Sequence, residues 1–124
     1  MGVYDNYERM SDDLKERVDK GMGCGSYVLE GWATIINRLN DNIASIDPDY
    51  KVDQIKEKFG GLRYYVHLSK DLTELQVDAI RRLIDEAEGE TMQTCDVCGA
   101  IGKCTQQRRG YVATRCEEHT EKKS

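Results

Sequence analysis

The stretch that decides the fold reads YKVDQIKEKFGGLRYYVHLS and occupies residues 50–69. Its second half alternates between apolar and polar side chains, as expected of a strand with one buried face. The apolar side chains on that face are Leu62, Tyr64, Val66 and Leu68. The first half alternates less regularly but can turn Ile55 and Phe59 inward, and the Gly60-Gly61 pair supplies the positive φ angles of a tight turn. The sequence therefore predicts a β-hairpin over residues 50–69.

Two amphipathic helices flank the hairpin in the chain. Residues 27–46 carry apolar side chains at spacings of three and four, namely Leu29, Trp32, Ile35, Ile36, Leu39, Ile43 and Ile46. Gly31 is unfavourable inside a helix, so the regular part can begin at Gly31-Trp32, and Pro48 ends the helix. Residues 71–88 repeat the pattern through Leu72, Leu75, Ala79, Ile80, Leu83, Ile84 and Ala87. Asp71 and Glu74 form a variant of the capping box there, and Gly89 closes the helix. We therefore expect an α+β fold with two helices packed on one face of the hairpin.

The N-terminal region, residues 1–25, is polar and highly charged. Ser11 is a candidate N-cap, and only Met10, Leu14 and Val18 offer an apolar stripe. The glycine-rich residues 21–25 break the helix. We interpret the region as a loosely docked helix followed by a flexible loop. The predicted division of the chain is then an N-terminal region (1–25), a core (26–90), a zinc-binding segment (91–120) and a tail (121–124).

A cysteine and histidine cluster predicts a structural zinc ion. Cys95 and Cys98 are separated by two residues, and Cys116 and His119 repeat that spacing. Two intervening residues let one turn direct both donors at the same tetrahedral ion. Four protein ligands leave no open position for a catalytic water, so we expect a zinc-ribbon or zinc-knuckle segment. Cys104 could replace His119 or be a free thiol, and we interpret Cys24 as a free thiol.

The protein is acidic overall but contains two basic segments. The net charge is −5, which disfavours general binding to nucleic-acid backbones. Residues 51–68 contain four basic and two acidic residues, and residues 95–124 contain six basic and four acidic residues. The net charge of each segment is therefore +2. No apolar run reaches the length of a membrane span. We expect no membrane association and a cytoplasmic location, where clustered cysteines more often bind metal than form disulfides.

The hairpin is also a candidate anion site. The backbone amides of Gly60 and Gly61 can point at a phosphate, and Tyr65 or Phe59 can stack on a base. The basic side chains that we expect to converge on such a ligand are Lys56, Lys58, Arg63, Arg108 and Arg109. The alternative is a basic hairpin that is simply solvated.

The same motifs also carry a resemblance that indicates a biological setting. Residues 56–66, together with Gly31-Trp32, Cys95-x-x-Cys98 and Cys116-x-x-His119, resemble a family of small bacterial and phage-encoded proteins. Its members carry a K-E-K-F-G-x-L-R-[FY]-Y box and a C-terminal zinc-knuckle pair. The family has no settled activity, so the resemblance implies an organisation and a phage or prophage setting without implying a chemistry.

These observations favour a binding protein over an enzyme, since we find no arrangement of Ser, His and Asp that suggests catalysis. We expect a non-enzymatic, phage-type accessory protein that neutralises a host antiviral defence system. It would inhibit a defence protein complex or sequester a nucleotide-type signal. The alternative is a zinc-ribbon regulator associated with nucleic acid, using Lys103, Arg108, Arg109 and Arg115. The oligomeric state stays open, with a homodimer as one option.

Overall fold

The computed structural model describes residues 9–19, 26–27, 30–107 and 110–120. The helices of these residues are α1 (Asp12–Asp19), a 3₁₀ turn (Glu30–Trp32), α2 (Ala33–Ile46) and α3 (Glu74–Thr91). The strands are β1 (Ser26–Tyr27), β2 (Lys51–Lys58), β3 (Gly61–His67), β4 (Lys103–Gln106) and β5 (Val112–Arg115). One sheet has the order β1-β2-β3, and the other consists of β4 and β5. The α+β class is confirmed. No helix in these ranges is long and apolar enough to span a bilayer.

The predicted hairpin is formed by β2 and β3, which pair antiparallel with Ile55 opposite Tyr64. Its turn differs from the prediction. Phe59 and Gly60 carry the positive φ angles, 54° and 88°, while Gly61 already pairs with Lys58 as the first residue of β3. Two consecutive positive φ angles match the twist of a two-residue hairpin. The prediction that Phe59 faces inward was therefore wrong, and its side chain is 71% exposed at the turn.

Both long helices form, and their ends differ from the prediction except for the C-terminal end of α2 at Ile46. The regular part of α2 begins at Ala33, after the 3₁₀ turn, and ends at Ile46 before Pro48. Helix α3 is capped by Thr73 and Gln76 instead of Asp71 and Glu74. It also continues past Gly89 to Thr91, so Gly89 does not close it. The buried Thr91 hydroxyl donates to the Glu88 carbonyl oxygen and accepts from Leu62 N–H, which holds this last turn against the hairpin.

The N-terminal helix belongs to the same core as the hairpin. Ser11 Oγ accepts from Leu14 N–H, as expected of the predicted cap. Met10, Leu14 and Val18 are all buried, so the interpretation of a loosely docked helix was wrong. The flexible loop predicted over residues 20–25 lies outside the described residues, as does Cys24. The core that these side chains join includes Trp32, Ile36, Leu39, Ile43, Tyr50, Val52, Ile55, Leu62, Tyr64, Ile80 and Ala87.

Helix α3 also covers the outer edge of β3. Tyr64 N–H donates to Glu88 Oε2 at 3.2 Å, and Leu62 N–H donates to Thr91 Oγ1 at 3.0 Å. Side chains of the helix thus satisfy backbone groups that an edge strand would otherwise expose. Leu75, predicted in the apolar stripe of α3, is instead 81% exposed near the start of the helix.

Candidate metal centre

The first pair of ligands lies on a tight turn after α3. Gly99 N–H donates to the Cys95 carbonyl oxygen at 2.9 Å, and Cys95 N–H donates to the Ala100 carbonyl oxygen at 2.7 Å. Gly99 has a φ of +84°, a conformation that favours glycine. This backbone geometry directs Cys95 and Cys98 to one side of the turn.

The second pair follows β5 directly. His119 N–H and Thr120 N–H both donate to the Cys116 carbonyl oxygen, at 3.1 and 2.9 Å. Thr120 Oγ1 donates to the same oxygen at 2.8 Å. The pairing of β4 with β5 returns Cys116 to the first turn.

The structure brings the four predicted ligand residues together in one cluster. The ligand atoms of Cys95, Cys98, Cys116 and His119 all lie within 4.8 Å of one another, so they could bind a metal ion. Cys98 Sγ is 3.7 Å from Cys116 Sγ, and Cys95 Sγ is 3.7 Å from His119 Nδ1. A zinc–sulfur bond of about 2.3 Å implies a tetrahedron edge of about 3.8 Å, which agrees with the sulfur–sulfur distance. Cys116 Sγ and His119 Nδ1 lie closer, at 3.1 Å.

Cys104 is not part of this cluster. Its Sγ lies 3.7 Å from the Phe59 carbonyl oxygen, at the turn of the hairpin. Of the two alternatives for the fourth ligand, the structure brings His119 to the other donors. Cys104 is instead an exposed thiol.

The backbone around Cys95 favours its thiolate. Burial raises the pKa of Cys95, but hydrogen bonds from the backbone N–H groups of Cys116, Cys98 and Val97 together outweigh it and lower that pKa to about 7. A thiolate is the form that coordinates a metal. The donor set of three sulfurs and one imidazole nitrogen suits zinc.

The first ligand turn is anchored to the start of α2. Gly31 N–H donates to the Asp96 carbonyl oxygen at 2.8 Å, and Trp32 Nε1 donates to the Thr94 carbonyl oxygen at 2.8 Å. A Cβ at Gly31 would lie 2.3 Å from the Cys95 carbonyl oxygen, so only glycine fits there. Sequence reasoning treated Gly31 merely as an unfavourable helix residue. The glycine inside an apolar helical pattern was the signal of a close backbone contact.

A buried ion pair joins the two ligand turns. Arg115 Nε lies 3.0 Å from Asp96 Oδ1, and the two side chains are 12% and 6% exposed. Asp96 N–H also donates to the Thr114 carbonyl oxygen at 2.9 Å. Asp96 follows Cys95 and Arg115 precedes Cys116, so this pair holds the two halves of the metal centre together.

No family model matches the chain, and comparisons with curated proteins and with solved structures found no match. The resemblance to a phage and bacterial family stays a prediction.

The predicted anion site is only partly assembled. Lys56 and Arg63 are cross-strand partners, and Lys56 Nζ lies 5.8 Å from the centre of the Tyr65 ring. Strand alternation places Lys58 on the same outward face as Lys56. Tyr65 is 43% exposed there. We call Lys56, Lys58, Arg63 and Tyr65 the basic face.

The glycine amides do not serve this site as predicted. Gly60 N–H donates to Glu57 Oε2 at 2.6 Å, so it is already bonded to a carboxylate and cannot also face a phosphate. Gly61 is buried in β3, where a Cβ would meet Met92 Sδ at 2.6 Å. Arg63 Nη1 is 3.9 Å from Glu88 Oε1. Arg108 and Arg109 lie outside the described residues.

Proposed function

We propose that this protein is a non-enzymatic binding protein, stabilised by a structural zinc ion, that binds an anionic ligand through the basic face. The observation that carries the proposal is the placement of Lys56, Arg63 and Tyr65 side by side on the outward face of the hairpin. Cations beside an exposed aromatic ring suit a ligand that combines phosphate with a base.

The structural role of the metal rests on the number and position of its ligands. Three cysteines and one histidine supply four donor atoms, which fill a tetrahedral zinc ion and leave no open position for water. The ion would join residues 95–98 to residues 116–119 and thereby hold β5 against the hairpin turn. The metal ion would then contribute to binding by holding the basic face in position.

We also propose a setting for this binding, the neutralisation of a host antiviral defence system. Its support is the sequence resemblance, together with a binding surface. Of the two versions, sequestering a nucleotide-type signal agrees better with the basic face than inhibiting a defence complex does. An inhibitor of a protein complex would instead use acidic surfaces, such as Asp12 and Glu16 on α1 or Asp85 and Glu86 on α3, which are all exposed.

A second candidate is a regulator associated with nucleic acid. Lys103 and Arg115 are cross-strand partners on the β4–β5 ribbon, which places a second pair of cations beside the metal centre. Arg115 is already paired with Asp96, so Lys103 would carry most of the contact with phosphate. Binding of this kind should weaken steeply with added salt.

The proposal is tested by ligand-induced thermal shifts with mononucleotides and cyclic dinucleotides, and by fluorescence anisotropy with a labelled single-stranded oligonucleotide. Lys56→Ala and Arg63→Ala should each weaken binding about three- to tenfold, since each removes one charged contact. The matched controls are Arg81→Ala and Arg82→Ala, which remove exposed arginines of α3. These controls should bind as the wild type does.

The outcome separates the candidates. Nucleotide shifts that depend on Arg63 support the sequestering version. Oligonucleotide binding that depends on Lys103 and falls steeply with salt supports the regulator. If Arg63→Ala retains every ligand-induced shift of the wild type, the basic face is not the binding surface and the proposal fails.

A further inference from the structure

A sheet edge beside the metal centre is only partly paired by the residues that the structure describes. Thr94 forms an antiparallel bridge with Ile101. Gly102 N–H donates to the Gln93 carbonyl oxygen at 2.9 Å, and Cys95 N–H donates to the Ala100 carbonyl oxygen. This pairing stops at Gly102, whereas the same edge continues along β4.

The backbone groups on the rest of that edge point away from β5. Gln107 N–H donates to the Tyr111 carbonyl oxygen at 2.7 Å and closes the β4–β5 ribbon. Bonded and non-bonded residues alternate along an antiparallel pair. Lys103 and Thr105 therefore bond to β5, while the N–H and C=O groups of Cys104 and Gln106 point outward. Both residues are exposed, and we find no hydrogen bond from these outward groups to any described residue.

Apolar surface lies on both sides of this open edge. On one side is a cleft of about 400 Å³, lined from residues 101–105 by Ile101, Lys103 and Thr105 and from residues 115–120 by Arg115, Glu117 and Thr120, among others. Ile101 is 90% exposed at this cleft. On the other side Phe59, whose carbonyl oxygen lies next to Cys104 Sγ, is 71% exposed. An added strand would direct alternate side chains to these two sides.

The charge of β4 itself indicates the sequence of such a strand. Lys103 is the charged residue of β4, is exposed and forms no ion pair with a described residue, whereas Glu117, also exposed at the cleft, follows β5. An acidic side chain and an apolar side chain two residues apart would both lie on this side of the added strand, the first beside Lys103 and the second beside Ile101. We propose that β4 accepts an extended, acidic and apolar peptide segment of a partner protein as a third strand of this sheet. The inference is independent of the basic face.

The test uses the zinc-loaded protein and a phage-displayed library of random peptides. Enriched peptides should carry an acidic residue two positions from an apolar residue, with a second apolar residue between them. The bound peptide should slow hydrogen exchange of the Cys104 and Gln106 amides by about tenfold or more. Ile101→Asp and Lys103→Glu should each weaken the peptide about tenfold, and both replace exposed side chains, so folding should be preserved.

Two controls complete the test. Leu75→Asp changes an equally exposed apolar residue on α3 and should leave peptide binding unchanged. Arg63→Ala should also retain it, which separates this inference from the proposed function. The inference is overturned if no peptide is enriched on the wild type over Ile101→Asp. It is equally overturned if bound peptides leave exchange at Cys104 and Gln106 unaltered.

Discussion

Thr114 Oγ1 donates a 2.6 Å hydrogen bond to the carbonyl oxygen of Gly60. This buried contact joins β5 to the turn of the β2–β3 hairpin, 54 residues earlier in the chain. Cys116 lies just beyond the end of β5, so the metal centre and the hairpin turn are packed as one unit. Changes at the turn should consequently reach the metal centre, and loss of the metal should loosen the turn.

We predict that Gly60→Ala destabilises the protein. Gly60 has a φ of +88°, and a Cβ there would lie 2.7 Å from Cys104 Sγ and 3.2 Å from Val112 Cγ1. The strained backbone and the crowding together should lower the free energy of unfolding by about 1–3 kcal/mol, measured by urea denaturation. Gly89→Ala is the matched control, because a Cβ there meets nothing within 4 Å. It should raise that free energy by about 0.5–1 kcal/mol. Equal effects of the two substitutions would contradict this account.

We predict that Cys98→Ser removes the metal. Elemental analysis of the purified wild type should find about one zinc ion per chain, and the variant should hold less than about half an equivalent. Its melting temperature should fall, since metal binding contributes directly to the stability of such a segment. Cys104→Ser should keep full metal content, because Cys104 lies at the hairpin turn. A wild type without zinc, with a stability that does not respond to Cys98→Ser, would refute the assignment.

The single tryptophan should report on the metal centre. Trp32 is fully buried, and its Nε1 donates to the Thr94 carbonyl oxygen, one residue before Cys95. A chelator that removes the metal should loosen residues 94–98 and admit water to the indole. We expect the fluorescence emission of Trp32 to shift to longer wavelength and to return when zinc is restored. Unchanged emission after verified metal loss would show that residues 94–98 keep their structure without the ion.

The buried tyrosine pair should make the protein sensitive to alkaline pH. Tyr50 OH donates to Asn40 Oδ1 at 2.6 Å, so Tyr64 OH, 2.7 Å away, donates to Tyr50. Burial, with the neighbouring Tyr50 hydroxyl, raises the pKa of Tyr64 well above its ordinary value. A raised pKa in the folded state means that stability is full below about pH 10, where the unfolded tyrosine titrates, and falls as pH rises further.

The test of the tyrosine pair compares Tyr64→Phe with Tyr65→Phe. Tyr64→Phe should cost about 1–2 kcal/mol at neutral pH, through the lost hydrogen bond, and should lose less stability than the wild type does above pH 10. Tyr65, whose side chain is exposed on the basic face, is the control and should change neither quantity. Urea denaturation at a series of pH values measures both. A wild type as stable well above pH 10 as at neutral pH would contradict the predicted sign.

Much of the core follows from local periodicity. The alternation of Leu62, Tyr64 and Val66 placed their side chains on the inner face of β3, and the spacing of three and four placed Ile36, Leu39 and Ile43 on the buried face of α2. These patterns succeed because a regular strand or helix repeats its side-chain directions at a set period. Leu75 and Phe59 fit the patterns and are nevertheless exposed, because they lie at the ends of their elements, where no neighbouring element covers them.

Periodicity did not predict where α3 begins and ends. Asp71 and Thr73 both satisfy the rules for an N-cap, and the structure uses Thr73. Gly89 has the residue type that closes a helix, yet α3 continues because Thr91 bonds to Leu62 in the hairpin. Several local choices have similar free energies in each case. Thr73 and Gln76 form the capping box locally, whereas a contact with a distant part of the chain decides where α3 ends.

The sequence by itself determined the α+β class, the hairpin, both long helices and the four residues that meet at the metal centre. Each of these depends on periodicity or on the spacing of a few residues along the chain. Only the tertiary structure decided that Gly31 packs on the Cys95 carbonyl, that Gly60 packs on Cys104, and that Glu57 occupies the Gly60 amide. Those contacts depend on how separate elements approach one another in space; a local pattern can mark a position such as Gly31, but it does not identify the partner. The four candidate metal ligands could therefore be predicted from the sequence, whereas the contacts that hold them against the hairpin could not.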